Sequence, residues 1–94
     1  MDSRETFFHV GSLPVHHDGK PVILAGPCVI ESPDHALKMA EMLSKLVLDR
    51  GFQYVFKASY DKANRSSIHS FRGPGLHEGL KALQHIKSSL GIPV

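Results

Sequence analysis

Lys57, Lys62, Asn64, Arg65 and Ser66 fall within one short part of the run KASYDKANRSSIHSFRGPG, residues 57–75. Arg offers a planar fork to phosphate oxygens, and Lys offers a point charge. Asn and Ser add neutral hydrogen bonds to hydroxyls or phosphate. Together these types suit a small, polyhydroxylated, doubly anionic ligand. The run carries Lys57, Lys62, Arg65 and Arg72 against one acid, Asp61. It follows neither a period of 2 nor one of 3.6, so it reads as a long loop. Loops of this length inside a compact domain are uncommon and often functional. Gly73-Pro74-Gly75 bends the chain out of it.

A solvated surface loop, charged only for solubility, is the competing reading and on spacing alone has about equal weight. A nucleic-acid site ranks lower. It calls for aromatics interleaved with the basic residues, whereas Tyr60 and Phe71 merely flank them. The net charge of +2 is also too small to draw nucleic acid as a bulk property. His69 lies in the same loop and is a weak candidate for ligand contact.

Cys28 is the one cysteine, so no internal disulfide forms. A lone cysteine most often packs as a small buried hydrophobe. Its functional reading is a metal ligand, which needs about three further protein ligands. None of the seven histidines forms a metal pattern with it. His16-His17 falls in a turn, and His35, His77 and His85 fall on helices as surface residues. Glu31 either faces the same rim as Cys28 or favours the start of the following helix.

These residues need elements to hold them. VILAG, 22–26, reads as a strand buried on both faces, as in a parallel sheet. Ser32 is a natural N-cap, with Pro33 at the first helical position and Asp34 in the first turn. Ala36, Met39, Ala40, Leu43, Leu46 and Val47 then recur at helical spacing, and Gly51 stops the helix. QYVFKAS, 53–59, is a second strand, with Lys57 at its end, held rigidly and partly desolvated. Leu76, Leu80, Leu83 and Ile86 form the stripe of a second helix stopping near Gly91. IPV, 92–94, reads as a third strand beginning. Residues 6–17, broken by Gly11 and Pro14, suit a short hairpin before the Asp18-Gly19 turn.

The order strand, helix, strand, helix, strand predicts an α/β fold with a parallel sheet. Ligands then bind on the loops leaving the C-terminal ends of the strands. Here those are GPCVIES, 26–32, and the basic loop. Three strands cannot close a barrel, and both faces of a parallel sheet need cover. We therefore expect this chain of 94 residues to be the N-terminal piece of a larger α/β protein. Its composition, 41% hydrophobic and 21% charged, is that of a soluble globular protein. It holds no apolar run of the roughly 20 residues a membrane span needs. MDSRETFF does not read as a signal peptide. A cytoplasmic location is expected.

From about Val22 to Val94 the chain resembles the 3-deoxy-D-manno-octulosonate 8-phosphate (Kdo8P) synthase family. FKASYDKANRSSIHSFRGPG is similar to that family's signature loop, and GPCVIES to its first-strand motif. The resemblance implies a (β/α)8 TIM barrel of roughly 250 residues, preceded by an N-terminal hairpin. Residues 1–21 would be the hairpin, and 22–94 the first barrel units up to the start of the third strand. It implies condensation of phosphoenolpyruvate with D-arabinose 5-phosphate and water, giving Kdo8P and phosphate for lipopolysaccharide biosynthesis, by a homotetramer. Lys57, Ser59 and Lys62 would then serve the phosphoenolpyruvate side of the site. Asn64, Arg65 and Ser66 would hold arabinose 5-phosphate, the last two at its phosphate, across a subunit boundary. Metal-dependent members have cysteine at the position of Cys28, and metal-independent members have asparagine. The resemblance thus implies a divalent transition metal on Cys28, with a His, a Glu and an Asp from strands beyond this chain.

Two alternatives accompany this reading. One is the related synthase that joins phosphoenolpyruvate to erythrose 4-phosphate. Its loop has a Lys-Pro-Arg-Thr pattern, against which Ala63-Asn64-Arg65-Ser66 argues. The other is a truncated, inactive relative kept as a binding or structural piece.

Overall fold

A computed structural model describes residues 8–16, 18–62, 68–69 and 71–94. The elements run β1 (Phe8–Val10), β2 (Leu13–Val15), β3 (Val22–Ala25), α1 (Pro33–Asp49), β4 (Gln53–Phe56) and α2 (Leu76–Leu90). The expected hairpin is present. β1 and β2 pair antiparallel, with Val10 opposite Leu13 across a tight turn at Gly11, φ +61°. β3 and β4 pair in parallel, Val22 with Gln53 through Ala25 with Phe56. The mixed α/β order read from the sequence is borne out.

The helices form where their caps allow. The Ser32 side chain accepts a hydrogen bond from the His35 N–H at 3.1 Å, and Pro33 opens α1. At the other end Phe52 N–H donates to Val47 O and Gly51 N–H to Leu48 O. That is a Schellman motif, and Gly51 supplies its left-handed residue at φ +80°. Gly91 ends α2 in the same conformation, its N–H on Lys87 O.

The core lies between the helices and one face of the strand pair. Tyr54 and Phe56 of β4 fill it from the sheet side, with Ile23 and Ala25 of β3 beside them. The helices answer with small residues, Ala36 and Ala40 from α1 and Ala82 from α2, with Ile86 completing the layer. Bulky side chains on the sheet face alanines on the helices, which lets the two layers approach closely.

Four expectations change. Leu24 is 63% exposed, so β3 is not buried on both faces. It points away from the helices, into a cleft shared with Phe8 and Val15 of the hairpin that leaves it open. Leu46 of α1 is likewise exposed. In α2 the inward face is Gly79, Ala82 and Ile86, while Leu76 and Leu80 are more than half exposed. The stripe is therefore only half inward: Ile86 is in the core and Leu83 packs against it, while Leu76 and Leu80 turn outward because Gly79 must face Tyr60 (below). Residues 92–94 form no strand. Phe56 N–H does donate to Pro93 O at 3.0 Å, on the side of β4 away from β3, and Ile92 enters the core. Pro93 has no N–H to continue a ladder. Among the described residues, no helix is long and apolar enough to cross a membrane.

Candidate functional site

The loops leaving β3 and β4 are stitched together. Lys57 N–H donates to Ala25 O at 3.2 Å, Ser59 N–H to Cys28 O at 3.2 Å, and Ile30 N–H to Ser59 O at 2.9 Å. Val29 bridges Ser59 in parallel. From the Ala25–Phe56 pair to the Val29–Ser59 bridge, one chain advances four residues and the other three. Gly26-Pro27-Cys28 thus holds one extra residue, a bulge of the kind that re-aims side chains at strand ends. Gly26 is essential to it. A Cβ there would sit 1.9 Å from Lys57 O, inside any permissible contact. The Tyr54 hydroxyl fixes the same point, donating to Ala25 O at 2.7 Å. Burial pushes the Tyr54 pKa up to about 12, further favouring the neutral hydroxyl that donates this bond.

This stitching carries the candidate residues. β4 ends at Phe56, so Lys57 lies just past the strand rather than within it. Lys57 Nζ donates to Ser59 Oγ at 3.2 Å, consistent with residues two apart sharing a side of an extended chain. Lys57 is exposed, and the partial desolvation expected for it is not found. The residue stands beyond the last ladder pair, where the strands no longer shield it. Ser59 and Lys62 are half-buried. Cys28 is exposed, which removes its reading as a buried hydrophobe. Its backbone carbonyl joins the β4 loop, so both loops do share a rim. Asn64, Arg65 and Ser66 lie outside the described residues.

Tyr60 anchors the loop to α2. Gly75 N–H donates to Tyr60 O at 2.9 Å. A Cβ on Gly73 would lie 2.5 Å from that same oxygen, and one on Gly79 would lie 2.3 Å from Tyr60 Cβ. Both glycines allow a close approach that no larger residue permits. Beyond Tyr60, Arg72 closes on Asp61 with two bonds, Nε to Oδ1 at 2.6 Å and Nη2 to Oδ2 at 3.2 Å. Lys62 N–H donates to Arg72 O. The hydrogen bond to Asp61, and then its charge, hold the Arg72 proton more tightly than usual.

Composition counted Arg72 among the excess cations of the loop. The structure spends its fork on Asp61. The signal was present in the sequence: one acid and one arginine bracket the loop, followed directly by Gly-Pro-Gly.

For a metal, Cys28 supplies one accessible thiol. Among the described residues no group of three or more His, Cys, Asp or Glu could hold an ion. Cys28 is thus an accessible thiol with no further ligand set beside it among the described residues. His77 and His85 are exposed, as expected. Glu31 is exposed with its carboxylate 3.8 Å from His35 Nδ1, on the helix side of its two readings.

With this geometry in place, comparison with known proteins is direct. The family model described as the DAHP synthetase I family matches residues 13–94. A protein of Koribacter versatilis is 56% identical over 75 residues, covering 80% of this chain and 27% of its own length. One of Geobacter sulfurreducens is 53% identical over 85 residues, covering 90% and 31%. One of a Synechococcus species is 58% identical over 78 residues, covering 82% and 28%. All three are named 2-dehydro-3-deoxyphosphooctonate aldolase, another name for Kdo8P synthase. The resemblance read from the two loop motifs is thereby borne out. The chain spans about three-tenths of the length of these relatives. The match takes in the second strand of the hairpin, both stitched loops and both helices, and on it the chain belongs to the DAHP synthetase I family.

Proposed function

We propose that the full-length protein carrying this segment condenses phosphoenolpyruvate with D-arabinose 5-phosphate and water. One observation carries the reading. The two loops that bear the family resemblance are hydrogen-bonded to each other at the same end of one parallel strand pair. The shared name of relatives 53–58% identical supports it.

In this reading residues 1–21 form a hairpin beside the first units of a (β/α)8 barrel, built from 22–94. Lys57, Ser59 and Lys62 hold phosphoenolpyruvate. Asn64, Arg65 and Ser66 hold the sugar phosphate, across a subunit boundary of a tetramer in the cytoplasm. C3 of phosphoenolpyruvate forms a bond to the sugar aldehyde carbon. Water adds at C2, and the C2–O bond breaks to release inorganic phosphate. Two phosphorylated reactants repel one another, and a cluster of fixed cations offsets that repulsion. Alignment of bound reactants can supply about 7–11 kcal/mol of a barrier. Cationic contacts also stabilise the charge that develops. Cys28 would be one ligand of a divalent transition metal, which when bound serves as a Lewis acid toward water or the aldehyde.

The name of the family model favours a second reading, the four-carbon sugar erythrose 4-phosphate. Steady-state assays of the full-length protein with both sugar phosphates separate the two. We expect kcat/KM for arabinose 5-phosphate to exceed that for erythrose 4-phosphate by at least about tenfold, the effect of a single well-placed contact. Preference for the four-carbon sugar overturns the proposal.

A further inference from the structure

The Asp61–Arg72 pair has a geometry out of proportion to its worth as a stabilising contact. It is bidentate, at 2.6 and 3.2 Å, yet the side chains are 39% and 60% exposed. Exposed ion pairs add little to fold stability. What this pair does is join two points of chain eleven residues apart. The backbone joins them as well, through Lys62 N–H on Arg72 O and Gly75 N–H on Tyr60 O. Residues 60–62 and 72–75 thus run side by side in opposite directions. Gly73 lets them approach, since its missing Cβ leaves room for Tyr60 O. Upstream, Ser59 is bonded through its backbone to Cys28 and Ile30, and Lys57 Nζ is held on Ser59 Oγ. The spacing from Lys57 to Lys62 is therefore set at Ser59, at Tyr60 and at the arginine clamp.

We propose that Arg72 is a positioning residue: its paired bonds to Asp61 hold the mouth of the basic loop so that Lys57 and Lys62 stand at the separation a phosphorylated substrate requires. This deepens the reading given under Proposed function and rests on it. Holding the loop before the ligand arrives reduces the ordering cost of binding. Arg72 acts here through geometry, not as a cation offered to the ligand. The two roles make opposite predictions for Asp61. If Arg72 were an anion-attracting charge, removing the nearby acid would strengthen substrate binding. If it is a clamp, removing either partner weakens binding.

The test is steady-state kinetics on the full-length protein with Asp61→Asn, Arg72→Gln, the double variant and the charge exchange Asp61→Arg with Arg72→Asp. Each single change should raise KM for the phosphorylated substrates about fivefold, the upper range for an exposed pair, with kcat little altered. The double variant should cost no more than either single one, and the exchange should recover most of the loss. Arg72→Lys, which keeps the charge but loses the fork, should fall between wild type and Arg72→Gln. A fall in KM for Asp61→Asn beside a rise for Arg72→Gln overturns the clamp. So do unchanged values in both. If the wild-type protein fails to turn over arabinose 5-phosphate, the functional reading is overturned and the clamp's role with it. Turnover by wild type with unaltered variants overturns the clamp alone.

Discussion

At the scale of single residues, the site depends on atoms that are missing as much as on those present. Gly26 has no Cβ, and so Ala25 and Cys28 can both bond to the chain after β4. That bulge places Cys28 at the rim, exposed, with its carbonyl on Ser59. As the proposed metal ligand, Cys28 gives a specific expectation. Chelation should abolish turnover by the full-length protein, and a divalent transition metal should restore it. Cys28→Ser should lower metal affinity by about 100-fold or more, since even indirect partners of a ligand are worth 10–100-fold. Metal titration followed by activity and by metal content checks both, and full activity after exhaustive chelation contradicts the assignment. Sequence alone marked Cys28, Lys57, Ser59 and Lys62 as candidates. It did not reveal the bulge, which arises from pairing between segments far apart in the chain, and the lone acid and the arginine before Gly-Pro-Gly were counted as charges without being paired.

At the scale of elements, the helices were the most legible part. Ser32, Pro33 and Gly51 act locally, within a few residues of the bonds they make, so their roles can be read from the chain itself. Which face of α2 turns inward could not be read the same way. Of the helical stripe Leu76, Leu80, Leu83 and Ile86, only Leu83 and Ile86 lie against the core, and Gly79 and Ala82 turn inward in place of Leu76 and Leu80. Contact with Tyr60, sixteen positions before Leu76, decides the matter. Gly79→Ala tests this with two effects of opposite sign. Helix propensity alone favours alanine over glycine by about 1 kcal/mol. Against it, a Cβ at 2.3 Å from Tyr60 Cβ forces the loop anchor to move, and overpacking of this kind costs about 1–3 kcal/mol. Denaturant unfolding of the full-length protein should show Gly79→Ala to be the less stable form, by up to about 2 kcal/mol. A variant more stable than wild type would mean that Tyr60 is not fixed against α2. Strand burial was misread for a related reason. VILAG is apolar throughout, but what covers Leu24 depends on partners the local pattern does not contain.

At the scale of the whole molecule, alternation of elements indicated a parallel α/β arrangement, and the parallel pairing of β3 with β4 bears that out. Phe56 N–H bonds to Pro93 O on the opposite side of β4 from β3, although residues 92–94 form no strand. The hairpin precedes this unit, and its Phe8 and Val15 share a cleft with Leu24. Strand ends and the loops that leave them gather on one rim, as substrate-binding α/β folds require. The most direct measurement is a crystal structure of the full-length protein with phosphoenolpyruvate and arabinose 5-phosphate bound. Lys57 Nζ and Ser59 Oγ are expected within hydrogen-bond distance of phosphoenolpyruvate, with Lys62 in the same cavity. Those side chains directed into bulk solvent, with both ligands bound elsewhere, would contradict it.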